Sequence, residues 1–128
     1  MKNSILIMTI ILLSFLIGCT SGETVNIKEM DVIELKQAME TDTTLIILDV
    51  RNPEELVGKH GHIDGVINIP VQELDERLNE LNKYKKNHIA IICRSGNRSK
   101  DATALLNSKG FNAENVIGGM KAYNKITE

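Results

Sequence analysis

At 128 residues, 42% hydrophobic and 25% charged, the chain has room for one domain with a core of its own, and needs no metal or disulfide framework. Its 15 basic and 17 acidic residues give a formal net charge of -2 with no block of like charge, which argues against a nucleic-acid binder. The ordinary apolar fraction argues against a disordered chain. In chain order, Met1-Lys2-Asn3-Ser4 is a short basic start, and residues 5–17 are almost wholly apolar. At 1.5 Å per residue that run reaches roughly 20 Å, short of the ~30 Å a spanning helix must cross. A basic start, a short apolar run and then small residues is the pattern of an export signal, so residues 1–18 are set apart from the fold.

Leu16-Ile17-Gly18-Cys19 resembles the lipobox of bacterial lipoproteins. That resemblance implies cleavage after Gly18, lipid on the Cys19 sulfur and acylation of the new N-terminus. Two or more acyl tails would hold the chain stably at a membrane, on its extracytoplasmic side. Residues 19–24 then form a short lipidated tether, and residues 25–128 form the domain. With Cys19 committed to lipid, Cys93 is left as a lone thiol in a compartment where disulfides persist, which marks it as reactive rather than structural.

The domain alternates helix and strand. Asp31 with Glu34 three residues on has the form of a capping box and opens a helix through about Glu40, with Leu35, Ala38 and Met39 on its apolar face. Residues 45–50 are a continuous apolar run of the kind found in strands buried on both faces. Asn52-Pro53-Glu54-Glu55 combines an N-cap, a proline at the first helical position and two early acids, starting a short helix. Residues 58–65 read as loop and residues 66–69 as a second strand. Leu74, Leu78 and Leu81 predict a helix over 71–81. Residues 88–92 form a third strand, and residues 99–109 a helix by its Ala102, Leu105 and Leu106 stripe. Residues 115–117 are a short strand, and Gly118-Gly119 leads into a last helix from about Met120. The alternation predicts an α/β fold with an open parallel sheet.

In such sheets ligands bind beyond the carboxyl ends of the strands. One strand ends there in Asp49-Val50-Arg51. Another runs into Cys93-Arg94-Ser95-Gly96-Asn97-Arg98-Ser99 and then into a helix. A thiol facing a helix start meets orphan backbone N–H groups, and Gly96 lets the loop turn tightly enough for successive amides to converge. Arg94 and Arg98 add positive charge, and Ser95, Asn97 and Ser99 add donors. All of these favour thiolate, so Cys93 is the candidate nucleophile and the loop 94–99 the candidate anion cradle. Asp49 and Arg51 are candidate supports beside it. His60 and His62 have no further metal-type ligands near them in sequence and read as loop residues, and no metal site is expected. Lys83, Lys85 and Lys86 read as a solvated helix end.

The ordered set Asp49-Val50-Arg51, Glu55, residues 61–70 (GHIDGVINIP), the loop 93–99 and Gly118-Gly119-Met120 resembles the single-domain rhodanese-like sulfurtransferases over roughly residues 25–126. The resemblance implies a parallel sheet of about five strands flanked by helices. It also implies that Cys93 takes sulfane sulfur from a donor such as thiosulfate as a persulfide and passes it to a thiophilic acceptor, with no metal or organic cofactor. The partners implied are a small-molecule or protein sulfur donor, a thiol acceptor and the membrane, with no nucleic acid. Residues 56–60 make a neck slightly longer than the commonest family form, Val66 stands where alanine is usual, and Tyr123 where tryptophan is frequent. Two alternatives remain. Non-enzymatic binding modules on this fold commonly lack the cysteine. Related cysteine phosphatases, like arsenate reductases a less favoured reading, need a loop one residue longer than the four residues separating Cys93 from Arg98.

Overall fold

The computed structural model describes residues 26–128; the apolar leader, Cys19 and the polar tether lie outside the described residues. Five strands, β1 (Glu29–Met30), β2 (Ile46–Asp49), β3 (Ile67–Asn68), β4 (His88–Ile92) and β5 (Asn112–Val116), form one sheet in the order β1-β5-β4-β2-β3. Every pairing is parallel, as the alternation of helix and strand predicts. Among the described residues four α-helices accompany it: α1 (Val32–Thr41), α2 (Pro53–Leu56), α3 (Asn97–Ser108) and α4 (Gly119–Thr127).

β4 shows why continuous apolar runs become central strands. Ile89 and Ile91 point to one face, against Ala102 and Leu106 of α3 and the buried Leu74 and Leu81. Ala90 and Ile92 point to the other, in a cluster with Leu35 of α1 and Met120 of α4. Successive strand side chains alternate faces, so a strand covered on both sides is apolar at nearly every position. Each fully buried leucine or isoleucine contributes roughly 1.5–3 kcal/mol, which makes β4 the strongest anchor for whatever follows it.

The N-terminus of α1 forms as its sequence predicts. The Asp31 carboxylate accepts from the amides of Ile33 and Glu34, both at 2.8 Å, and the Glu34 carboxylate accepts the Asp31 amide at 2.8 Å. Its buried face is Val32 and Leu35, however, and Met39 faces out at 38% exposure.

Three further elements differ from expectation. The helix expected over 71–81 is two 3-10 segments, Val71–Glu73 and Leu78–Tyr84. Leu78, Leu81 and Tyr84 recur every third residue and all pack on the α3-side core, a spacing that fits a three-residue turn better than an α-turn. β1 was not expected at all. It has two residues, too few for any periodicity, and exists because Glu29 and Met30 pair with Asn115 and Val116. β5 begins at Asn112 rather than 115, since its two asparagines conceal a strand in which Ala113, Asn115 and Val116 are buried.

Candidate active site

β2 and β4 lie side by side, and their tips are joined by the Val50 amide donating to the Ile92 carbonyl at 3.0 Å. The first tip therefore carries Asp49 and Arg51 to the edge of the loop that follows the second. Cys93 follows the last residue of β4, and α3 begins four residues later at Asn97. The thiol is 1% exposed and is the free cysteine among the described residues.

The turn is made by Gly96, whose φ of 102° lies in the left-handed region where a Cβ is strained. In that conformation the Gly96 amide donates to Cys93 Sγ at 3.1 Å, and the buried Ser99 hydroxyl lies 3.2 Å from the same sulfur. Burial pushes the Cys93 thiol up. The Ser99 hydroxyl and the amides of Ser99, Gly96 and Ser95 outweigh it, so the net shift is downward from the ordinary value of 9.0. Ser99→Ala removes the largest of these downward influences. We expect its thiol titration to move to higher pH, with alkylation at neutral pH slower by about tenfold for the loss of one hydrogen bond to a charged group. Above both midpoints the variant should alkylate at least as fast as wild type, since the thiolate of higher pKa is the stronger nucleophile. An unmoved midpoint would show that Ser99 does not hold the thiolate.

The two loop arginines divide their work. Arg98 is gripped by Glu55 from α2, with Nη1 to Oε2 at 2.7 Å and Nη2 to Oε1 at 2.8 Å. That hydrogen bonding lowers the Glu55 carboxyl to about 2 against the cost of partial burial. Arg98 is thus a strut between α3 and α2, and its charge is shared with a carboxylate. Arg94 is exposed and makes no ion pair among the described residues. Ser95 and Asn97 are also exposed on the loop. Glu55 was legible as a landmark and as a residue three positions past an N-cap, but nothing in the sequence links it to Arg98, 43 positions on.

Asp49 and Arg51 are both buried and pair at 2.7 Å. Arg51 also donates to the carbonyls of Gly61 at 2.8 Å and Glu55 at 3.3 Å, while Asn68 donates to the carbonyls of Asp49 and Arg51. A buried pair of this kind is poor evidence of stability in itself. With Asn68, its observable work is to lash β2 and β3 to α2 and to Gly61 at the end of the neck.

A second brace comes from the C-terminal helix. The amides of Met120 and Lys121 donate to the carbonyls of Cys93 and Arg94 at 2.8 and 3.0 Å. The approach is possible because Gly119, with φ of 55°, has no side chain: a Cβ there would collide with the Cys93 carbonyl oxygen and sit 2.7 and 2.8 Å from the Arg94 carbonyl atoms. With those carbonyls turned toward α4, the loop amides are left for the sulfur. Beside the loop opens a cavity of about 310 Å³ lined by Arg51, Glu55, Gly58, Lys59, His60 and Arg94. Nothing in the sequence marks Lys59 or His60 as site residues, and Gly119 reads there only as a landmark and a helix start.

The family model for the rhodanese-like domain matches residues 31–126, from the α1 cap to α4. The chain belongs to the rhodanese-like family. Its rhodanese-like relatives include the Bacillus subtilis "Putative sulfur carrier protein YrkF", 40% identical over 104 residues. That match covers 80% of this chain and 54% of the relative, so the chain spans about half of that protein's length. The "Putative sulfurtransferase YtwF" of the same organism is 36% identical over 102 residues, covering 80% of this chain and 95% of the relative. A crystal structure of a rhodanese-like domain protein from Staphylococcus aureus superimposes with a TM-score of 0.68 at 33% identity, covering 76% of this chain and 91% of that one. The fold and the family therefore agree with the five-stranded parallel arrangement of the sheet.

Proposed function

We propose that the protein is a sulfurtransferase that carries sulfane sulfur on Cys93 from a donor such as thiosulfate to a thiophilic acceptor. The observation that carries this reading is the cysteine itself, its sulfur held by the Gly96 amide and the Ser99 hydroxyl at the tip of the central strand. The Cys93 thiolate attacks the outer sulfur of thiosulfate. One S–S bond forms, the donor's S–S bond breaks, and sulfite leaves with the electron pair. The product is a persulfide whose negative charge the loop amides are placed to hold. An acceptor thiolate then attacks the outer sulfur, and the Cys93 thiolate leaves. By resemblance, phosphatases on this fold need a loop one residue longer than the four residues between Cys93 and Arg98, which favours sulfur transfer over phosphate-ester hydrolysis. No metal or organic cofactor takes part, since the transferred sulfur rides on the chain's own side chain.

The proposal extends to location. The basic start, the short apolar run and Leu16-Ile17-Gly18-Cys19 support a lipid anchor on Cys19 at the outer face of a bacterial membrane.

The test is mass spectrometry of the protein after incubation with thiosulfate. The expected result is a gain of one sulfur atom, mapped to Cys93 and removed by cyanide or thiol. No gain across several sulfane donors would overturn the reading in favour of a binding module on the same fold.

A further inference from the structure

The reactive loop occupies one end of the sheet, and the opposite end has a chemistry of its own. Every pairing is parallel, so the segments that enter the strands lie away from Cys93, roughly 16 Å distant along the five residues of β4. β2, β4 and β5 start level with one another, with Ile46 beside Ile89 and His88 beside Asn112. Their entry segments are tied side by side. Asn87 Nδ2 donates to the Thr44 carbonyl at 2.7 Å, and Lys85 Nζ lies 5.4 Å from the centre of the Phe111 ring.

Those segments, residues 42–45, 85–87 and 109–111, carry three exposed lysines, Lys85, Lys86 and Lys109, and one acid. That acid, Asp42, already accepts from the Thr44 amide and hydroxyl at 2.9 and 2.7 Å. The exposed Lys83 lies in the last turn of the 3-10 segment that leads into β4. None of the four lysines forms an ion pair among the described residues. Glu114 on β5 is held by His88 at 2.7 Å. A chain that is net negative as a whole therefore has one basic end.

The chain joins the sheet from that same end. β1 runs parallel to β5, and the Lys28 carbonyl accepts the Asn115 amide at 2.9 Å, so residues before Lys28 approach from the lysine side. Seven peptide bonds separate Cys19 from Asn26, a reach of at most about 25 Å. That is less than the ~30 Å diameter of a small domain, so a lipid on Cys19 would keep this end near the bilayer. We infer that Lys83, Lys85, Lys86 and Lys109 form a docking surface for the anionic lipid headgroups of the membrane that holds the anchor. Lysines near an anionic surface each add attraction, and a basic patch is a common second signal beside an acyl anchor. Docked in this way, the domain turns Cys93 away from the bilayer and toward water-soluble sulfur compounds. The inference rests on the lipid-anchor reading and adds to it the face by which the domain meets the membrane.

The experiment takes the mature chain from bacterial membranes and reconstitutes it into vesicles of phosphatidylcholine alone, or of equal parts phosphatidylcholine and phosphatidylglycerol. Neither lipid carries an amine, so brief reductive methylation marks only protein lysines, which are read residue by residue by mass. Lys100 and Lys121, exposed in the first turns of α3 and α4 at the reactive end, are the internal reference. Methylation of Lys85, Lys86 and Lys109 relative to that reference should fall about fivefold on the anionic vesicles, the effect of one lysine held at an anionic surface, and should recover at high salt. Lys86→Glu combined with Lys109→Glu should abolish the protection of Lys83 and Lys85 and leave sulfur loading of Cys93 unchanged. Equal labelling of the two ends on both vesicles, or protection of Lys100 and Lys121 instead, would overturn the inference and leave the anchor reading standing. A Cys19 that carries no acyl mass would overturn both.

Discussion

Cys93→Ser should abolish sulfur transfer, with turnover down by about 10³-fold or more, while the protein stays folded. The hydroxyl fits where the thiol was and can still accept from the Gly96 amide at the tip of β4, so the packing around it survives. What is lost is chemical. A serine hydroxyl ionises far less readily than a thiol, and it cannot form the persulfide link on which both half-reactions depend. Thermal unfolding and circular dichroism should match wild type, and incubation with thiosulfate should add no mass. A Cys93→Ser protein that still moved sulfur from thiosulfate to cyanide would sink the assignment of the nucleophile.

Gly119→Ala should be the most damaging single change outside the reactive loop. It incurs two costs at once. The residue sits at a φ of 55°, a left-handed conformation that costs a side chain roughly 1–2 kcal/mol. The new methyl must also displace the Cys93 and Arg94 carbonyls, an overpacking that costs about 1–3 kcal/mol more. Because those carbonyls turn with the amides that hold the sulfur, the loop should shift by a sizeable fraction of an ångström. Misplacement of about 1 Å can lower a rate by about 10²-fold. Gly110→Ala isolates the first cost, since its φ is 86° but a Cβ there meets nothing within 4 Å. We expect Gly110→Ala to lose a little stability and keep its activity, and Gly119→Ala to lose both. Equal activity in the two variants would mean that α4 does not position the loop.

Much of this was legible in the sequence because the informative signals were local. The runs at 45–48 and 89–92 are apolar without interruption, as a strand covered on both faces requires. Asp31 and Glu34 satisfy each other within one turn. The loop 93–99 contains its nucleophile, its glycine and its hydroxyl donor within seven positions. The rest depends on contacts across the chain. Arg98 looked like free charge for an anion, and its carboxylate partner lies 43 residues away on α2. Gly119 looked like a helix start, and its role depends on the carbonyls of Cys93 and Arg94 in the loop after β4. β1 has no pattern of its own and is defined by β5. Even the leucine spacing at 74, 78 and 81 was ambiguous, because a 3-10 turn and an α-turn share positions three apart.

The place of β4 in the sheet has a consequence for how the molecule breathes. Amide hydrogens on a strand paired on both sides exchange only when large parts of a domain open together, whereas the first turn of a helix can open locally at lower cost. The reactive loop is tied to one of each, to β4 behind it and to α4 through the carbonyls of Cys93 and Arg94. Opening of the first turn of α4 would release those two carbonyls while the sheet stayed closed, loosening the backbone that carries a thiol only 1% exposed. Deuterium uptake at Met120 and Lys121 should therefore run ahead of uptake in β4. The opening rate of that first turn would then set how often the loop around the sulfur is free to change shape.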